Sequence, residues 1–100
     1  MFRRVRFSAV IDSQLELFQR EHRDVIEDVG EHLRAYNEAS RDEAEELYGD
    51  YVDVVDAAID ILADLRDHFA RTLDEPERYV DEFNRAVARR LPEFARVSHA

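Results

Sequence analysis

Cysteine and lysine are both missing from this chain, and glycine and proline occur only twice each. Without cysteine there are no disulfides, no thiolate metal sites and no sulfur nucleophile. So few glycines and prolines leave little material for tight turns, and long helices are expected instead of hairpin-rich sheet. No apolar run approaches the length that spans a membrane. The opening residues MFRRVRFSAVIDSQ lack the apolar core and small-residue cleavage site of a signal peptide. The expected setting is therefore cytoplasmic, with no membrane partner. There is no glycine-rich phosphate loop and no Gly-x-Ser-x-Gly turn, so no cofactor and no catalytic residue is assigned.

Acid is what the chain has in excess. Twenty-four Asp and Glu face fourteen bases, all of them arginine, for a net charge of −10. Arginine in place of lysine is what GC-rich codon usage produces, but codon usage does not account for the acidity. A salt-rich cytoplasm accounts for both, because an acidic surface stays solvated there while its self-repulsion is screened. The same charge argues against nucleic acid or an anionic membrane as the main partner.

The apolar pattern predicts an all-α fold: an up-down-up antiparallel three-helix bundle built on a long helical hairpin, one domain over residues 1–100. Ser13 and Glu16 have capping-box spacing and open a first helix over about 13–37. Ile11, Leu15, Phe18, His22, Val25, Val29, His32 and Tyr36 step by four and three along its seam, widened by Ile26 and Leu33. Ser40 and Glu43 repeat the cap and open a second helix over about 41–73. Its seam runs through Ala44, Tyr48, Tyr51, Val55, Ala58, Leu62, Leu65 and Phe69. Leu47, Val54 and Ile61 widen it on one flank and Val52 and Ile59 on the other, a stripe that needs partners on two sides. Asp74 and Pro76 start a third helix over about 75–91, which Pro92 ends or kinks. Before it all, Val5, Phe7 and Ala9 alternate with Arg4, Arg6 and Ser8, suggesting a short extended arm over 1–11.

Three constellations invite a chemical reading. Asp50, Asp53, Asp56, Asp60, Asp64 and Asp67 form a ladder on the second helix, with His68 after the last. At 100° per residue the six lie within about 60° of one centre line, opposite the apolar seam, so they are a solvated face. His22 and His32 fall on the seam, and they are the metal-ligand candidates of a rival reading, a small helical enzyme or metal protein. An antiparallel hairpin separates them by more than a helical turn, which denies them a shared ion. Arg3, Arg4 and Arg6, with Phe2 and Phe7, make a basic-aromatic arm, and Arg85, Arg89 and Arg90 a second cluster. The arm carries the third reading, an accessory subunit that touches nucleic acid. Against a body of −10 these arginines are better matched to acids on the same chain or a second copy.

Association is the function that remains. A third helix of about 25 Å cannot cover first and second helices of about 40 Å or more. It should shield Phe18, Leu62 and Phe69 and leave the far end less covered. There Ile26, Val29, Leu33 and Tyr36 lie opposite Tyr48, Tyr51, Val52 and Val55. The expectation is a homodimer, or a complex with another protein, with Tyr48 and Tyr51 at or near the interface.

Like charges at i,i+4, such as Asp56–Asp60 and Asp60–Asp64, cost a helix about 0.2–0.5 kcal/mol per pair in dilute salt. Molar salt shrinks the Debye length to about 3 Å and removes most of that cost. The melting temperature is therefore expected to climb by many degrees between dilute buffer and molar KCl. A flat or falling curve contradicts the halophilic explanation.

Overall fold

Turn material is scarce, and both prolines stand where a helix begins. Pro76 opens α4 and Pro92 opens a 3-10 helix, positions where the missing N–H costs nothing. A computed structural model describes residues 7–100, and these form α1 (Ser8–Glu21), α2 (Arg23–Asn37), α3 (Arg41–Ala70), α4 (Pro76–Arg90) and the 3-10 helix (Pro92–His99). The chain is all-helical, with no strand among the described residues. No helix among them is long and apolar enough to cross a membrane.

The first helix departs from its expected form at both ends of its first half. It begins at Ser8, so Ser13 lies exposed inside α1 and caps nothing, and residues 8–11 are helical rather than extended. The cause is Phe7, which is buried edge-on against Tyr79, with ring centroids 5.2 Å apart, and whose carbonyl accepts the Ile11 N–H. The helix then bends at His22 (φ −115°, ψ 33°), which separates α1 from α2. Backbone bonding continues through the bend: the His22 N–H reaches Phe18 O and the Ile26 N–H reaches His22 O. The bend lets α1 pack on α4 while α2 packs along α3. The other boundaries shift less. Ser40 precedes α3 with its hydroxyl donating to Glu43 Oε1 at 2.8 Å, and α3 ends three residues early in turns at Thr72 and Leu73.

α2 and α3 run antiparallel. Tyr36 meets Tyr48 near the turn, and far from it Gln14 Nε2 donates to Leu65 O across 3.4 Å. The core lies in the half away from that turn. Leu15, Phe18, Leu62, Tyr79, Phe83, Val87, Phe94 and Val97 are all sealed from solvent there. Fully burying a residue of this kind stabilises by about 1.5–3 kcal/mol, so most of the fold's stability comes from this half. Phe94 and Val97 belong to the 3-10 helix, which folds back so that Phe94 meets Phe18 edge-on, with centroids 6.1 Å apart.

Arg66 fastens this return. It lies seven residues from Ile59 on the same face of α3 and is 3% exposed, a charge inside the core. Its guanidinium donates from Nε and Nη2 to the two Asp67 oxygens (2.8 and 3.3 Å). It also donates to Asn84 Oδ1 (3.0 Å), Val97 O (2.8 Å) and Ala100 O (3.0 Å). Five hydrogen bonds match the five donors of an arginine, so the desolvated cation is fully satisfied.

Tyr79 buries a polar group as well. Its hydroxyl donates to Gln14 Oε1, and its ring lies among Phe7, Phe69 and Phe83. Burial pushes the phenol up to about 12, because the phenolate loses its hydration there. Its contribution is complete below pH 10, where folded and unfolded chains both hold the proton. Between pH 10 and 12 only the unfolded chain releases it, and stability falls. From pH 9 to 11.5 the wild type should lose about 2 kcal/mol more than Tyr79→Phe in urea unfolding. Equal losses would place the hydroxyl in contact with water.

Candidate association surface

α4 and the 3-10 helix both lie against α3. Ile59, Ala63, Arg66 and Ala70 are buried beneath them. Their cover ends near Asp56, whose carboxylate accepts a 2.8 Å hydrogen bond from Arg96 on the 3-10 helix. Beyond that point, among the described residues, the hairpin continues as α2 and α3 alone. The molecule is accordingly long, 62 × 24 × 20 Å, and its radius of gyration of 16.0 Å exceeds the roughly 13 Å of a compact chain this size.

The eight residues of the expected interface lie along α2 and α3, and Ile26 and Tyr51 pack against the core. Val29 and Val55 are already buried between α2 and α3, so they have little surface left to give. Ile26, Tyr36, Tyr51 and Val52 are half-buried. Leu33 at 39% and Tyr48 at 51% are the large apolar side chains that stay exposed. The tyrosines form a short chain, Tyr36 to Tyr48 at 5.3 Å and Tyr48 to Tyr51 at 6.4 Å between centroids. The opposite flank of the hairpin is open along more of its length. Its apolar residues Val10, Leu17, Val25, Val54, Ile61, Leu65 and Phe69 are half-buried by the hairpin itself, in shallow hollows.

Charge is distributed unevenly. Residues 23–56 carry twelve acids against Arg23, Arg34 and Arg41, a net of −9. The remaining residues hold twelve acids against eleven arginines, a net of −1. Nearly the whole net charge of the protein therefore lies on residues 23–56, which include the uncovered end.

The other constellations resolve into local contacts. Five of the six ladder aspartates are exposed, and Asp67, at the end of the row, binds Arg66. His22 sits at the α1–α2 bend against Phe18, with ring centroids 5.6 Å apart. His32 turns back along its own helix, with Nδ1 2.8 Å from Asp28 O and 3.3 Å from Asp28 Oδ1. Ten residues of helical rise put His22 and His32 about 15 Å apart, and among the described residues no group of three or more potential ligands could hold a metal ion. Arg3, Arg4 and Arg6 lie outside the described residues. Arg90 reaches Asp12 at 2.8 Å, while Arg85 and Arg89 line a cleft with Ser8, Asp12 and Glu82. Glu82 Oε2 is closed off from solvent there without a hydrogen bond, with Arg78 Nε 3.8 Å away.

Two features of the covered half escaped the sequence reading. Arg66 falls on the seven-residue column Val52, Ile59, Arg66, and a charged residue on an apolar column is the signal that marks it. Phe94 and Val97 are spaced by three after Pro92, enough for one turn with a buried face. Comparison with protein-family models, with curated proteins and with solved structures found no match for this chain.

Proposed function

We propose that the protein works by association, and that its contact surface is the open end of the α2–α3 hairpin. On this reading it is an up-down-up bundle whose third layer is short, placed in a salt-rich cytoplasm. One observation carries the reading. The cover supplied by α4 and the 3-10 helix stops near Asp56, and past it Leu33 and Tyr48 remain exposed in line with the buried seam. A monomer gains nothing from apolar surface held open at the end of a hairpin, whereas a partner that covers it stabilises both.

A second copy is the simplest partner. Two hairpin ends related by a two-fold axis complete a four-helix arrangement, with Tyr48 and Tyr51 near the axis. Each copy brings the −9 of residues 23–56, so pairing is opposed in dilute buffer and favoured where salt screens it. Size exclusion with light scattering at tens of micromolar should therefore give a dimer in molar KCl. Tyr51→Arg should return it to monomer. Wild-type monomer in molar KCl contradicts self-association, and a dimer indifferent to Tyr51→Arg moves the interface elsewhere.

A further inference from the structure

The groove that α4 and the 3-10 helix fill does not end where they do. Val52, Ile59 and Arg66 are spaced by seven on one face of α3; Ile59 and Arg66 are buried, but Val52 is only half-covered. Tyr48 lies a turn farther on, and from α2 Ile26 and Leu33, also seven apart, flank the same trough. Between Asp56 and Arg41, the first residue of α3, fifteen residues of helix rise about 22 Å. That is room for one helix of about fifteen residues, lying end to end with the layer the chain provides for itself.

Charge selects among the helices that fit. Residues 23–56 carry −9, and at physiological ionic strength the Debye length is about 8 Å, close to the roughly 8–10 Å between packed helix axes, so this field acts on a helix lying there. At that ionic strength an acidic helix, or a second copy with its own −9, meets repulsion and a neutral helix no attraction; self-pairing needs the molar salt that screens it. A cationic one is drawn in and oriented. We propose that the uncovered end of the α2–α3 groove binds a cationic amphipathic helix of another protein, its apolar face on Leu33, Tyr48 and Val52 and its Arg or Lys residues toward the surrounding acids. This is helix-in-groove recognition, and it rests on the reading that the hairpin end is the contact surface.

The two glycines report on it. Gly30 lies on α2 between Ile26 and Leu33, whereas Gly49 lies on the outer face of α3 with nothing within 4 Å of a Cβ placed there. The probes are three fifteen-residue synthetic helices with one leucine face, flanked by Arg, by Gln or by Glu. Each is titrated into the full chain and followed by amide NMR and calorimetry in low salt. The Arg helix should bind at least about tenfold tighter than the Glu helix and weaken about tenfold in half-molar salt. It should shift the Gly30 amide and leave Gly49 in place. Tyr48→Asp removes apolar surface while adding negative charge, at a site already half exposed. A tenfold loss on Tyr48→Asp, with Ala88→Arg unchanged, establishes a seat in the groove. Tighter binding to Tyr48→Asp, or shifts spread along the aspartate ladder without Gly30, reduces the effect to charge attraction and overturns the proposal. Equal binding of the three helices at Gly30 overturns the cationic partner and spares the surface. No response at Gly30 from any helix, together with a monomer in molar KCl, defeats the surface as well.

Discussion

The apolar stripe of α3 runs for thirty residues, whereas α4 is fifteen residues long and the 3-10 helix eight. The other features of the molecule follow from that shortfall. The half of α3 beneath α4 holds the sealed aromatic and aliphatic core, with Phe18 and Phe83 reaching in from α1 and α4. The half beyond Asp56 packs on α2, and two helices bury only the strip where they touch. Val29 and Val55 occupy that strip, and the residues to either side stay half-covered. The exposure of Leu33 and Tyr48 goes with their place beyond the contact of Arg96 with Asp56.

Arg66 determines how far the cover extends. Without a fastening, eight residues of 3-10 helix have poor internal hydrogen bonding and little reason to stay folded back. The guanidinium supplies one by gathering Asn84 from α4 with Val97 O and Ala100 O from the returning segment around a cation that Asp67 neutralises. Burying the cation is unfavourable in itself, and Asp67, half exposed, neutralises it from the rim. What it confers is a defined register for the last turn, which places Phe94 on Phe18 and Arg96 on Asp56. The end of the cover is thus set by named contacts.

Much of this was legible in the sequence, and the lapses have physical causes. The turn at residues 38–40 and the starts of α3 and α4 followed from Ser40, Glu43, Asp74 and Pro76, because capping and proline chemistry are local. The bend at His22 was not legible, since the heptad spacing runs through it unbroken; it arises from α1 leaning toward α4, which no local signal encodes. The alternation of residues 5–9 pointed to an extended arm, but from Ser8 the chain is helical, because Phe7 has a tertiary partner in Tyr79. Arg66 went unnoticed because a charge defaults to solvent; its burial depends on carbonyls brought back from 31 and 34 residues later. At the association surface, periodicity placed all eight residues at one end. What it could not divide was Val29 and Val55, filled by the hairpin itself, from Leu33 and Tyr48, left open.

The central claim is that one continuous helix has two unequal halves. Native-state amide hydrogen exchange along α3 in dilute protein tests it most directly. If the cover ends near Asp56, amides 58–66 should exchange only through global unfolding, while amides 46–54 open locally at a free energy lower by at least about 2 kcal/mol. Uniform protection from one end of α3 to the other would contradict the account.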